Sequence, residues 1–245
     1  MNKIKGYDKF GRVIYTKEYM CLVMDKENSD TLIKQKSQNL SYKEKIEQSR
    51  KIDLEYVDVI NSVGIVSWCL MNKINQSPRT TQISRLQRLV DKGLIKKSKS
   101  GLYHSVDYKP SRNDTHNLWI SSIMIDLVID GWICFRDVDI QKDLDSKYRF
   151  SRVMYDDNFI PDLISEKMDV VVCYEIELTK KSDTNSVKNK IEGYIDYLND
   201  GKFSKVIYYT DNPNVRKSIE YWLDYFKTDV DIQIISSTQE DLLIK

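Results

Sequence analysis

The sequence has too little histidine, and too few closely spaced cysteines, for the metal sites that these residues build. Its two histidines, His104 and His116, are too few for a histidine-based metal centre. The four cysteines lie far apart and include no C-x-x-C pair. This pattern is typical of buried thiols in a reducing compartment, and it argues against a zinc site or a disulfide framework.

Long apolar runs are also missing from the chain. No segment approaches the roughly 20 apolar residues of a transmembrane helix, and no apolar stretch like that of a signal peptide follows the first residues. We therefore expect a cytoplasmic protein with no membrane partner. With 245 residues, 41% of them hydrophobic and 31% charged, the chain fits two modest globular domains better than one.

Charge is unevenly distributed along the chain, although the formal net charge is only +1. Residues 1–110 contain 21 Lys and Arg against 12 Asp and Glu, whereas the remaining residues contain 17 against 25. The front half can therefore hold a polyanion, and the back half carries an excess of carboxylates. A plainer interpretation is that the two halves attract each other as tethered domains.

Residues 52–108 follow the pattern of a winged helix-turn-helix. Leu54, Val57 and Ile60 recur at helical spacing, and residues 65–74 predict a second helix. Ser77-Pro78 is a helix start signal for a third helix, which a glycine at position 93 ends. The segment after that glycine predicts a strand, a basic turn and a second strand.

The third helix has an apolar face and a polar, basic face. Ile83, Leu86 and Val90 form the expected buried face. If this helix enters the major groove of DNA, some side chains of its polar face would contact base edges. The remaining basic side chains of that face and those of the basic turn would contact phosphates. We expect Thr81, Gln82 and Arg85 at base edges, and Arg88, Lys96, Lys97 and Lys99 at phosphates. The alternative is a winged helix that contacts protein, with its charges simply solvated.

Three carboxylates follow a second pattern in the C-terminal half. Residues 170–174 predict a buried strand, because they form a short apolar, β-branched run. Glu175 and Glu177 come next, and side chains two apart on a strand share a face, so they would repel unless a cation or protons neutralised them. Asp162 lies on a preceding apolar segment, and the short link predicts an antiparallel return that places it opposite Glu175.

Carboxylate clusters of this kind are the ligands that Mg²⁺ prefers. Asp162, Glu175 and Glu177 are therefore candidate metal ligands. The alternative is that the two glutamates line the exposed face of an edge strand, where most carboxylates in proteins are found.

Pro161-Asp162, a short gap and a hydrophobic strand ending in an acidic pair together resemble the PD-(D/E)xK, or restriction-endonuclease-like, superfamily. Within it, the chain is most similar to the replication-relaxation family of plasmid and mobile-element proteins. Members of that family carry an acidic pair at a strand end and then a helix with K-hydrophobic-x-x-Y. The matching segments here are Glu175-Ile176-Glu177 and Lys190-Ile191-Glu192-Gly193-Tyr194. The resemblance covers roughly residues 52–240, including the winged helix upstream.

The resemblance implies that Asp162 and Glu175 hold Mg²⁺ or Mn²⁺, and that a lysine two positions after the first glutamate polarises the attacking water. The sequence departs from the pattern here, because Glu177 occupies the position of that lysine. We therefore count Glu177 among both the candidate metal ligands and the candidate catalytic residues. Lys181 and Lys190 are the candidate replacements for the missing lysine.

The remaining pattern completes the predicted architecture. A helix is expected from Thr115 to Asp130, and residues 170–236 alternate strand, helix, strand, helix and strand, which predicts a mixed sheet. We expect an α/β protein, α+β overall, with three parts along the chain. They are a basic extension with a hairpin and a helix at 1–51, the winged helix-turn-helix at 52–108, and a PD-(D/E)xK nuclease-like domain at 115–245.

These patterns favour a protein that binds double-stranded DNA for a plasmid or mobile element and acts in replication or mobilisation. In this hypothesis the nuclease-like domain is a docking or gripping module that does not cleave. The first alternative is an active Mg²⁺-dependent endonuclease or nickase, and the second is a transcriptional regulator. A relaxase or replication protein is the candidate protein partner, and a homodimer is the candidate assembly.

Overall fold

A computed structural model describes residues 4–7, 13–15, 41–109, 113–137, 160–179 and 184–237 of the chain. The chain divides into two compact units, one ending at Gly131 and the other beginning at Trp132. Within the described ranges, no helix is both long and apolar enough to cross a lipid bilayer.

The first unit contains an antiparallel pair of strands, four helices and a small sheet within its described part. Its elements are β1 (Ile4–Tyr7), β2 (Val13–Tyr15), α1 (Tyr42–Val63), β3 (Ile65–Val66), α2 (Trp68–Ile74), α3 (Arg79–Asp91), β4 (Lys96–Lys97), β5 (Tyr103–His104) and α4 (Asp114–Ile129). Strands β1 and β2 pair antiparallel, as expected for an N-terminal hairpin. The three short strands β3, β5 and β4 form an antiparallel sheet in that order. The predicted start of the second helix, at residue 65, was wrong, because residues 65 and 66 form a buried strand paired with β5.

Helix α1 begins and ends where the sequence signals it. The side chain of Ser41 accepts a hydrogen bond from the N–H of Glu44, whose carboxylate accepts one from the N–H of Ser41, so the two residues form a capping box. Gly64 ends the helix with a φ of 85°, a backbone conformation that favours glycine. The helix therefore runs through position 51, where we expected the N-terminal extension to end.

The buried face of α1 differs from the expected one. Asp53, Tyr56, Ile60 and Val63 are buried, whereas the side chain of Leu54 is 61% exposed. The apolar spacing that begins at Leu54 therefore predicts the helix correctly but its buried stripe wrongly. The true stripe includes a carboxylate and a tyrosine, both of which have polar partners on α3.

Helix α4 packs within the first unit, although we expected position 115 to begin the nuclease-like domain. The hydroxyl of Ser121 donates to the carbonyl oxygen of Val63 at 2.9 Å. The ammonium of Lys73 on α2 lies 2.6 Å from Asp126. All residues from 118 to 125 are buried, as expected for a helix covered by neighbours on several sides.

The second unit is an α/β domain built on a five-stranded mixed sheet. Its elements are β6 (Ile133–Arg136), β7 (Leu163–Lys167), β8 (Val170–Ile176), α5 (Thr184–Asn199), β9 (Lys205–Thr210), α6 (Pro213–Phe226) and β10 (Ile232–Ser236). The strand order is β10-β9-β8-β7-β6, with antiparallel pairing from β6 to β8 and parallel pairing from β8 to β10. The predicted mixed sheet and the alternation after residue 170 are confirmed.

The core of the second unit lies between the central strands and the two helices. Its fully buried side chains come from β7, β8, α5, β9 and α6, and include Ile164, Cys173, Ile191, Tyr194, Val206 and Ile219. Helix α5 thus has one face fixed against the sheet. This packing decides which of its polar side chains lie over the end of β8.

Candidate functional site

The end of β8 and the start of β7 lie side by side. The two strands pair antiparallel from Lys167 opposite Val170 to Leu163 opposite Tyr174, and Met168 turns the chain between them with a φ of 57°. The antiparallel return expected from the short link is therefore confirmed. Immediately beyond the last pair, a side-chain oxygen of Asp162 accepts a hydrogen bond from the N–H of Ile176 at 2.8 Å.

Glu175 is fully buried at this end of the sheet, and both of its carboxylate oxygens accept hydrogen bonds. The ammonium of Lys190 donates to one oxygen, and the hydroxyl of Tyr194 donates to the other. Lys190 and Tyr194 lie four residues apart on α5, so they share the helix face that packs on the sheet. The second strand-end glutamate is also close, because Lys190 Nζ lies 3.5 Å from Glu177 Oε1.

Lys190 is therefore the cation that neutralises the acidic pair. The sequence required a cation or protons beside Glu175 and Glu177, and an ammonium contacts both carboxylates. Only 22% of the Lys190 side chain and 13% of the Glu177 side chain are exposed, so water screens this attraction weakly. The alternative that both glutamates line an exposed strand face was wrong, because Glu175 is completely enclosed.

The protonation equilibria of this cluster reflect burial and mutual attraction. Burial raises the pKa of Glu175 to about 8, since desolvation of the carboxylate outweighs the attraction of Lys190, and the charge of Asp162 adds to the rise. Burial lowers the pKa of Lys190, but attraction to Glu175, Asp162 and Glu177 outweighs it, so this pKa lies above its ordinary value. The lysine therefore stays charged at neutral pH, while Glu175 is the group that titrates near neutrality.

Protein donors engage the carboxylates of this cluster as they are placed. Both oxygens of Glu175 and one oxygen of Asp162 are engaged in hydrogen bonds, and Lys190 contacts both glutamates. In the part of the chain that the structure describes, no group of three or more His, Cys, Asp or Glu side chains is positioned to hold a metal ion. Of the two candidate lysines, Lys190 contacts the acidic pair, whereas Lys181 lies outside the described residues.

The second candidate surface is the polar face of α3 together with β4 and the turn that follows it. Thr81 is exposed, the side chain of Arg88 is 45% exposed, and the lysines of β4 and its turn, Lys96, Lys97 and Lys99, are exposed. The ammonium of Lys97 lies 5.3 Å from the centre of the Tyr103 ring, which holds it in place by a cation–π contact. This basic surface is accessible to a polyanion.

Gln82 does not belong to that exposed surface, and its predicted contact with base edges was wrong for this arrangement. It is only 1% exposed, its side-chain carbonyl accepts from the hydroxyl of Tyr56, and its amide donates to the carbonyl of Asn75. Gln82 lies on the same helix face as the fully buried Leu86 and Leu89. The buried face of α3 is thus rotated from the one predicted, with Ile83 and Val90 only half-buried.

Arg85 and Arg88 are anchored by a buried carboxylate that the sequence analysis did not single out. Asp53 on α1 accepts two hydrogen bonds from Arg88, at 2.5 and 3.2 Å, and lies 3.5 Å from Arg85 Nε. The ammonium of Lys92 lies 3.5 Å from the other side of the same carboxylate. The helical spacing of Asp53 with Tyr56 and Ile60 is the one signal that could have placed it on a buried face.

No protein-family model, curated protein or solved structure matches this chain. A functional proposal therefore depends on the fold, the site geometry and the short motifs in the sequence.

Proposed function

We propose that the protein binds double-stranded DNA through its first unit. The DNA belongs to a plasmid or other mobile element, and the protein acts in its replication or mobilisation. The observation that carries the proposal is the exposure of the lysines of β4 and its turn, Lys96, Lys97 and Lys99, together with the exposed polar face of α3. The element order from α1 to β5 is helix, strand, helix, helix, strand, strand, which is the order of a winged helix-turn-helix. In such a module, the helix enters the major groove and the wing contacts the backbone.

The second unit is proposed to be a nuclease-like module that grips DNA or docks a relaxase or replication protein without cleaving. Its support is the ion pair at the end of β8, where the Lys190 ammonium occupies the space between Glu175 and Glu177 that a metal would need. The mobile-element role rests on the resemblance of the motifs around these residues to the replication-relaxation family.

A salt titration of DNA binding tests the role of the first unit. A duplex from the native locus is titrated by fluorescence anisotropy at several KCl concentrations, with wild type and with Lys96, Lys97 and Lys99 all changed to alanine. Each phosphate contact contributes about −0.9 to the slope of log K against log salt. The triple variant should therefore bind more weakly and with a slope shallower by about 2 to 3.

A matched control removes three lysines from a surface outside the proposed interface. Lys43, Lys45 and Lys51 are exposed on α1, so changing them to alanine alters the net charge equally. This control should keep the affinity and salt slope of wild type. Equal effects of the two triple variants would assign the binding to net charge alone, and an unchanged slope in the wing variant would refute the proposed interface.

An active endonuclease is the second candidate, favoured by the convergence of Asp162, Glu175 and Glu177 around one lysine of the K-hydrophobic-x-x-Y motif. Supercoiled plasmid carrying the native locus is incubated with Mg²⁺ or Mn²⁺ and with wild type, Asp162→Asn or Glu175→Gln. Nicking by wild type that both variants lose would establish cleavage. Intact plasmid together with retained binding would leave the non-cleaving module as the function.

A further inference from the structure

The exposed face of α3 contains a shallow pocket of a definite chemical character. Its walls are three hydroxyl side chains and two guanidinium groups, from Thr80, Thr81, Ser84, Arg85 and Arg88. Hydroxyls donate hydrogen bonds, and guanidinium groups offer several N–H donors in a planar fork. No carboxylate lines this pocket, so its chemistry favours an anion with several oxygen atoms.

The charge behind the pocket points to the same class of ligand. Asp53 is the buried carboxylate that faces this side of α3, and three cations, Arg85, Arg88 and Lys92, lie within 3.5 Å of it. One carboxylate leaves two of the three positive charges without compensation within this cluster. An anion at the pocket would supply that compensation.

Arg85 lines this pocket and is held from behind by two residues of α1, Asp53 and Tyr56. Its side chain is only 13% exposed, and its Nε is buried without a hydrogen-bond acceptor, since Asp53 Oδ1 at 3.5 Å is too distant for a good bond. Its guanidinium carbon lies 5.4 Å from the centre of the Tyr56 ring, which limits how far the group can swing. The carboxylate and the ring thus keep the guanidinium beside the pocket that it lines.

We propose that this pocket binds one phosphate group, and that in the DNA complex the group belongs to the DNA backbone. The inference rests on the proposed DNA-binding function and refines it. Arg85 is then a backbone contact that sets the position of α3, not a reader of base edges, and Asp53 is a positioning residue that holds the two arginines.

The test separates backbone contact from base reading by using two duplexes. One carries the native locus and the other is a scrambled duplex of the same length and composition. Wild type, Arg85→Gln, Thr81→Val and the control Arg50→Gln, an exposed arginine on α1, are titrated against both duplexes. Melting temperatures confirm that each variant is folded, and Thr81→Val keeps the test valid if Arg85→Gln unfolds, because Thr81 is exposed.

Arg85→Gln should weaken binding to both duplexes by about tenfold, since a charge-assisted hydrogen bond is lost. Its salt slope should fall by about 0.9, and the ratio of the two affinities should stay at the wild-type value. Thr81→Val should weaken both by about threefold without a change in slope, and Arg50→Gln should behave as wild type. A fall in the affinity ratio with Arg85→Gln would mean that Arg85 reads bases and would overturn the inference.

An arm without DNA distinguishes this inference from the proposed function. Melting temperatures are measured in inorganic phosphate and in chloride at equal ionic strength. Phosphate should raise the melting temperature of wild type but not of Arg85→Gln or Thr81→Val. If wild type binds neither duplex, DNA binding is refuted, and a phosphate effect that needs both residues would assign the pocket to a free phosphate compound. No phosphate effect, together with unchanged DNA binding by both variants, would refute the pocket itself.

Discussion

Removing the Lys190 ammonium should destabilise the second unit, because it leaves Glu175 buried without its cation. Glu175 is completely enclosed, and Lys190 contacts both this carboxylate and Glu177. Breaking a buried ion pair from one side costs about 3 to 5 kcal/mol, whereas replacing both partners by neutral groups costs far less. We therefore expect Lys190→Met to lower the free energy of unfolding by about 3 to 5 kcal/mol at pH 9. The double variant Lys190→Met/Glu175→Gln should recover most of that loss.

The sign of the pH dependence makes this prediction specific. The pKa of Lys190 is raised on folding, so its contribution is fully present below the unfolded value of about 10.5 and is lost only as the pH rises beyond it. The pKa of Glu175 is about 8 with the lysine in place, and it rises further without the lysine. At pH 6 the carboxyl of Lys190→Met takes up a proton, and the loss of stability should therefore be smaller than at pH 9.

Urea denaturation followed by far-UV circular dichroism and by tryptophan fluorescence measures these free energies. Trp222 reports on the second unit, because its ring packs beside α5, where the Lys188 ammonium lies 5.8 Å from the ring centre. Trp68 and Trp119 lie in the first unit and also fluoresce, so the transition that shifts between wild type and Lys190→Met is the one assigned to the second unit. A loss below about 1 kcal/mol at pH 9, or a double variant as unstable as the sum of its two single changes, would refute the ion-pair argument.

Two further predictions concern buried polar groups. Because folding raises the pKa of Glu175 from 4.5 to about 8, its stabilisation is complete below pH 4.5 and is lost as the pH rises through 8, on the order of 5 kcal/mol at 1.36 kcal/mol per pH unit. Glu175→Gln should therefore show a flatter profile of unfolding free energy between pH 5 and 9 than wild type, and identical profiles would contradict the assignment. Gln82→Leu should lose about 1 to 3 kcal/mol, because the Tyr56 hydroxyl keeps its burial but loses its acceptor. An unchanged melting temperature with loss of DNA sequence preference would instead return Gln82 to a base contact.

The sequence predicts the second unit well where local signals decide the structure. A β-branched run gives β8, the short link gives the antiparallel return, and the alternation after residue 170 gives the mixed sheet. Each of these features follows from the residues of one segment and its immediate neighbour. Local signals also set the ends of α1, a capping box at Ser41 and a glycine at position 64, although we divided this helix at position 51.

Prediction fails where a polar side chain is buried against a partner far along the chain. Aspartate and glutamine are usually found at the surface, so the sequence gives no sign that Asp53 and Gln82 are buried. The helical pattern alone places Leu54 and Ile83 on the buried face instead. The carboxylate of Asp53 is buried because arginines more than 30 residues later neutralise it, and Gln82 is buried because Tyr56 and Asn75 satisfy its amide. Such pairing depends on how the helices pack, so no single segment contains the information.

The position of Lys190 bears on both functions proposed for the second unit, the non-cleaving module and the endonuclease. A lysine that polarises water and a lysine that takes the place of a metal would both lie close to Glu175, so a second feature has to separate the two roles. The distinguishing feature is that the ammonium contacts Glu175 and Glu177 together, which is the position of a bridging cation. A divalent ion could enter only if Lys190 withdrew from both carboxylates, toward the solvent that its side chain already partly reaches. Cleavage would therefore require this lysine to move, whereas a gripping or docking module is stabilised by leaving it in place.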